Sequence, residues 1–234
     1  MTCDAYIAQL KTVYSLVGTL SRKNGCLVMR MRHRELGRDV VVRQYEKPVA
    51  AYEVLKNVLH DHLPETYDVI TCDDGQIVLE EYVDGMTVAQ VLENGLYTLS
   101  GSKKVLQGVC AAAWTLHRLG VVHRDIKPEN VMVTPSGEVK LIDLNASRLV
   151  QPEKSCDTQV LGTVGYASPE QLGIAQTDNR ADIYAMGILL NVMLTGQHPS
   201  KTMAKGKAGR IISRCTHIDP GSRYQTVQQL LDAL

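Results

Sequence analysis

The amino-acid sequence predicts an α+β fold in which a small strand-rich part precedes a larger helical part. Three observations predict it. Over the first hundred residues, short apolar runs alternate with polar residues at the two-residue period of half-buried strands. From about residue 86 onward, apolar residues recur at the 3.6-residue period of helices. The chain has 234 residues, 44% hydrophobic and 21% charged, which is enough to bury a core and excludes a disordered polymer. Phe is absent, so Leu, Val, Ile, Ala and Met must build that core.

The elements follow in order. An opening helix is expected over about 4–17, then strands near 26–32 and 39–45. Pro48 introduces a helix at about 49–59. Strands near 67–72 and 76–82 flank the turn Asp73-Asp74-Gly75. In the helix expected from Ser102 to Leu119, Val105, Leu106, Val109, Ala113 and Leu116 share one face, and Gly120 suits the residue after its end. Short strands at Val131–Val133 and 139–142 flank Pro135-Ser136-Gly137, and helices follow around 180–195, 206–215 and 224–233.

Composition narrows the function. Lys+Arg and Asp+Glu both number 25, so the formal charge is zero, which argues against a nucleic-acid partner. Bases dominate residues 1–50 and acids dominate 51–95; Arg30, Arg32, Arg34 and Arg38 read as a solvated strand face. The amino-terminal stretch carries Asp4 and Lys11 and has no secretion-type apolar core. The apolar run from Ile183 to Leu194 is too short for the roughly 20 residues of a membrane span. Cys3, Cys26, Cys72, Cys110, Cys156 and Cys215 are scattered without ligand spacing, as expected of reduced thiols in a cytoplasmic protein.

Chemistry is concentrated in His123-Arg124-Asp125-Ile126-Lys127-Pro128-Glu129-Asn130, followed by Asp143 in Leu141-Ile142-Asp143-Leu144-Asn145. A loop carboxylate such as Asp125 accepts or orients a hydroxyl proton. An amide oxygen and a second carboxylate, Asn130 and Asp143, suit Mg²⁺, which prefers oxygen ligands and phosphates. Lys127 has the charge to neutralise a phosphoryl group in transfer.

This stretch resembles the catalytic loop of eukaryotic-type protein kinases, with Asp143 at the Asp of their DFG motif. Gly162 to Glu170 resembles the end of their activation segment, with Ser168-Pro169-Glu170 in place of Ala-Pro-Glu. Asp182-Ile183-Tyr184-Ala185-Met186-Gly187 is similar to the buried helix whose Asp braces the catalytic loop. Arg223 matches the Arg that pairs with the activation-segment Glu, here Glu170. The resemblance runs from about residue 17 to 234 and is closest to the bacterial-type serine/threonine branch. It implies one bilobal domain over 1–234, with an N-lobe to about 82, a hinge at about 81–86 and a C-lobe from about 86.

The resemblance further implies ATP and Mg²⁺ as cofactors, with Asp125, Lys127, Asn130 and Asp143 catalytic and the metal on Asn130 and Asp143. Val28, Val41 and Met132 would pack the purine, and backbone at Glu81 and Val83 would bond the adenine. Several positions depart from the family pattern. Ser21, Lys23 and Cys26 stand where the three glycines of the phosphate-covering loop belong. Arg43 replaces the strand lysine, a swap that changes a point charge for a planar fork. Its expected partners are Glu53 on the following helix, Glu80 at the gatekeeper position, and the ATP phosphates. Leu144 and Asn145 replace the Phe and Gly of DFG, and the stretch from Ser200 to Gly206 is too short for a helix that most members carry there. Ser155 and Thr158 are the phosphate acceptors that a basic Arg124 would dock.

Three functions fit the pattern. One is a protein kinase acting on Ser/Thr hydroxyls of a protein substrate. Another is a pseudokinase, a nucleotide-binding regulatory module with weak or no transfer. The third is a small-molecule phosphotransferase of the aminoglycoside-kinase kind, against which Thr163, Ser168-Pro169-Glu170 and Asp182 count.

Overall fold

In the first of two compact units, residues 1–60 and 64–83, a single antiparallel sheet is faced by two helices. The structure, a computed structural model, describes residues 1–23, 25–150, 163, 165–172 and 177–234. Helix α1 (Cys3–Val13) is capped by the Thr2 hydroxyl and runs into β1 (Tyr14–Lys23). The helix expected to reach residue 17 stops at Val13. Tyr14, Leu16 and Val17 belong to a strand instead, because pairing with β2 (Cys26–His33) satisfies their backbone along a ladder from Tyr14↔His33 to Lys23↔Cys26. Gly25, at φ +70°, lies in the tight turn of this hairpin.

β3 (Asp39–Tyr45), α2 (Ala50–Leu55), β4 (Thr66–Cys72) and β5 (Gly75–Glu81) complete the unit, with sheet order β1-β2-β3-β5-β4. α2 is shorter than expected, since Asn57 takes φ +71° and cannot continue a right-handed helix. Met29, Met31, Val40, Val42, Ile77 and Leu79 line one sheet face and pack against Cys3 and Ile7 of α1. Strand alternation puts Val28, Val41, Arg43, Val78 and Glu80 on the opposite face. At one end of that face Tyr45 meets Tyr52 of α2, hydroxyl to hydroxyl at 3.2 Å. The cysteines are less isolated than their spacing suggests: Cys3, Cys72 and Asp74 offer atoms within 4.8 Å of one another. Burial, with Cys72 and Asp74 nearby, pushes the Cys3 thiol up to about 12.

The second unit comprises residues 61–63 and 84–234. Its chain passes through β6 (Met86–Thr87), α3 (Val88–Glu93), α4 (Leu99–Arg118) and β7 (Val121–Val122). There follow β8 (Val131–Val133), β9 (Val139–Leu141), β10 (Arg148–Leu149), α5 (Asn179–Thr195), α6 (Gly206–Cys215) and α7 (Val227–Ala233). α4 begins earlier than expected because Thr98 caps it, accepting from the Gly101 amide. Thr226 caps α7 in the same way, so that helix starts at Val227 rather than 224. His62 belongs here, its Nδ1 lying 2.8 Å from the Val139 carbonyl.

α5 is the centre of this unit, with Ile183, Met186, Ile188, Leu189 and Leu190 all buried. No helix lies between α5 and α6; residues 196–205 are instead tied to buried Asn191, which donates to the carbonyls of Gln197 and Thr202 and accepts from the Ala204 amide. α6 packs closely on α5 because Gly187 has no side chain: a Cβ there would meet the Cys215 Cβ at 2.4 Å. Gly187→Val is therefore expected to destabilise the protein by about 1–3 kcal/mol through overpacking. Gly18→Ala, where a Cβ meets nothing within 4 Å, serves as control. Urea midpoints with unchanged slope are the measurement; equal midpoints for the two variants would contradict the packing argument.

Candidate active site

The loop after β7 is fixed by one buried carboxylate. Asp182, fully buried in the first turn of α5, accepts from the His123 amide at 2.9 Å and the Arg124 amide at 2.8 Å. His117, in the last turn of α4, places Nε2 2.8 Å from the same carboxylate. Burial alone disfavours a charged Asp182, but the His117 contact and the Arg124 amide outweigh it and hold the carboxyl below its usual range. Arg124 takes φ +68°, a conformation strained for a residue with a side chain. Gln171 braces the loop from the other side, donating to the Arg124 carbonyl at 2.9 Å and accepting from Ser168.

Asp125, next along, is the hub of the site. Lys127 Nζ donates to its Oδ2 at 2.7 Å, the Asn130 amide nitrogen at 2.9 Å, and the Thr163 hydroxyl to its Oδ1 at 2.7 Å. Lys127 also donates to Thr163 at 2.6 Å, so carboxylate, ammonium and hydroxyl close a ring. Asn130 further donates to the Asp125 carbonyl, which leaves the oxygen of its carboxamide as a metal donor. Asp143 follows β9 at φ +68°, and its carboxylate accepts from the Asn145 amide at 3.3 Å. Asp143 itself is the left-handed residue of this motif. An amide oxygen and a carboxylate form an all-oxygen donor set, which fits Mg²⁺ and not a thiophilic metal. Met132 lies on β8, between Thr87 and Lys140 on the flanking strands.

Downstream, Arg223 and Glu170 form a bidentate pair at 2.6 and 2.9 Å, both buried. The remaining Arg223 donors go to the carbonyls of His217, Arg180 and Ile218, so all five guanidinium N–H groups are satisfied. Ser155 and Thr158 lie outside the described residues. Arg124 is pulled below its ordinary value by burial and by the neighbouring Arg148.

The other expected site residues belong to the first unit. Val28 on β2 and Val41 on β3 are buried on the face that carries Arg43, and Val83 is buried just past β5. Glu81, at the end of β5, exchanges bonds with Glu65, whose amide donates to its carboxylate at 3.1 Å and whose carbonyl accepts from its amide at 2.9 Å. Arg43 Nε donates to Glu80 Oε1 at 2.6 Å. Glu53 is not brought to Arg43 as expected: it is exposed on α2 and accepts from Gln76 Nε2 at 3.5 Å. The reason is register, because Glu80 stands on the strand beside Arg43 and on its face. His117 and Gln171 carry no sequence signal of their own, since each acts through a contact that no local pattern announces.

This fold is that of a protein kinase domain. The chain belongs to the protein kinase domain family, whose model matches residues 27–230. It is 27% identical, over 260 aligned residues, to a probable serine/threonine-protein kinase of Clostridium perfringens, covering 94% of this chain and 38% of that protein. The serine/threonine-protein kinase PknB of Mycobacterium tuberculosis is 32% identical over 161 residues, 67% of this chain and 26% of its own length. A probable PknB of Bifidobacterium longum is 38% identical over 126 residues, 52% of this chain and 18% of its own. The chain therefore spans well under half the length of these relatives. Among the described residues, no helix is long and apolar enough to cross a membrane.

Removing the Asp182 charge should loosen the loop. Because its folded pKa is depressed, its stabilisation is complete above the unfolded value of about 3.9 and is lost as pH falls through the folded one. Asp182→Asn is expected to cost about 3–5 kcal/mol at pH 7, with the gap from the parent narrowing below about pH 4. Urea unfolding at both pH values measures it; a gap that widens on acidification would contradict the sign.

Proposed function

We propose that this chain is an ATP-dependent protein kinase that transfers the γ-phosphoryl group to Ser or Thr hydroxyls of a protein substrate, with Mg²⁺. The observation that carries this reading is the closed ring of Asp125, Lys127 and Thr163, with Asn130 on the same carboxylate. Such a ring holds a proton acceptor, a basic side chain and an amide oxygen suited to a metal together, which is what in-line phosphoryl transfer requires. The relatives' names point the same way.

Asp125 takes up or orients the proton of the attacking hydroxyl, its own direction set by three donors. Lys127 brings positive charge to the phosphoryl oxygens, where negative charge must be neutralised in transfer. Thr163 keeps Lys127 and Asp125 in register, and this Lys–Thr pairing resembles the serine/threonine branch of the family. Asn130 and Asp143 would hold Mg²⁺, which supplies charge neutralisation on the phosphates when bound. On the family assignment, Val28, Val41 and Met132 pack the purine, backbone at Glu81 and Val83 bonds the adenine, and Arg43 holds phosphate. The neutral overall charge supports a protein rather than a nucleic-acid partner, and the cysteine usage supports a cytoplasmic setting.

Roles divide between the two carboxylates. Asp125→Asn is expected to lower transfer by about 10²–10⁴-fold while nucleotide affinity stays near the parent's. Asp143→Ala should lose affinity for Mg-ATP as well as rate. Titration with a fluorescent ATP analogue beside a γ-phosphate transfer assay distinguishes them; equal loss of nucleotide affinity in both variants would contradict the assignment.

A further inference from the structure

We propose that Glu80 is the positioning residue for Arg43, and that it sets the phosphate-holding cation from within the sheet, independently of helix α2. The proposal rests on the kinase reading above.

The geometry is local to the first unit. β3 and β5 pair Val41 with Glu80 and Arg43 with Val78, so Arg43 and Glu80 are diagonal neighbours on one face. Their Nε–Oε1 contact is 2.6 Å, with the side chains only 7% and 5% exposed. Around them on the same face stand Val28, Val41 and Val78, all buried. In such surroundings a guanidinium is held only if a carboxylate compensates its charge, and the compensating group dictates its orientation. Contact through Nε, the nitrogen nearest the stem, fixes the plane of the fork. A lysine carries its charge on a flexible tip and has no equivalent nitrogen.

In the family pattern the strand cation is a Lys paired with a Glu on the following helix, so helix position controls the cation. Here that helix has six residues, Ala50–Leu55, and its Glu53 is exposed and hydrogen-bonded to Gln76. The sheet ladder itself carries a counter-ion, Glu80. Strand register is set by the ladder and the buried face, so Glu80 arrives beside Arg43 as soon as β3 and β5 pair. The two departures from the family, Arg43 and Glu80, thus compensate each other.

The test is the equilibrium affinity of the full chain for a fluorescent ATP analogue with Mg²⁺, with the thermal midpoint of each variant. Glu80→Met is expected to weaken binding by about tenfold or more, the worth of one misplaced charge-assisted bond, while Glu53→Gln binds within about twofold of the parent. Arg43→Lys is expected to bind more weakly than the parent. Because Glu80 acts through Arg43, Arg43→Met and Arg43→Met/Glu80→Met should bind alike within about twofold, with the double variant the more stable of the two. That pair decides the matter even where Glu80→Met unfolds. The proposal is overturned if Glu80→Met binds like the parent, if Glu53→Gln loses as much, or if adding Glu80→Met to Arg43→Met weakens binding further. A parent chain that binds no nucleotide overturns the kinase reading itself.

Discussion

The chemistry of the second unit depends on one buried carboxylate accepting two backbone amides. Asp182 reaches His123 and Arg124 from α5, most of whose residues are buried, and so fastens the loop after β7 to the core. Without that anchor, a left-handed Arg124 would relax, since such a residue costs about 1–3 kcal/mol unless its surroundings hold it. Relaxation there would turn the next residue, Asp125, away from Lys127, Asn130 and Thr163. His117 and Gln171 extend the same constraint to α4 and to the segment after Ser168. The site is therefore tied by hydrogen bonds to the helices around it, and its residues, Asp125 to Thr163, are not independent of one another.

Two buried ion pairs serve different ends. Arg223 and Glu170 satisfy every guanidinium donor and join the segment around Ser168 to the chain before α7; nothing is left over for a ligand. Arg43 and Glu80 are paired on a sheet face beside buried Val28, Val41 and Val78. A buried pair of this kind adds little net stability over well-packed apolar residues, but removing one partner is severe. That asymmetry suits a group whose value is its fixed orientation.

Much of the site is legible in the sequence because phosphoryl transfer requires particular side chains at fixed spacing. Asp125, Lys127, Asn130 and Asp143 are recognisable on those grounds, and Asp182 and Arg223 follow from the resemblance they carry. The Arg43–Glu80 neighbourhood is legible through the resemblance, which sets their two strands side by side, and through the two-residue strand period, which puts both on one face. The failures have physical causes. Tyr14 to Val17 continue the helical periodicity of α1, so only the partner strand reveals them as β1. Glu53 has the right position in sequence but sits on a helix cut short at Asn57, facing solvent. His117 and Gln171 matter through contacts with residues about 50 to 65 positions away, which no window of the sequence contains.

On the geometry above, the ring on Asp125 performs transfer to a protein hydroxyl as proposed. Incubation of the chain with γ-labelled ATP, Mg²⁺ and a generic protein substrate, followed by phosphoamino-acid analysis, tests it most directly. Label is expected on phosphoserine or phosphothreonine and none on phosphotyrosine. Nucleotide bound with no label transferred, or label found only on a small-molecule acceptor, would contradict it.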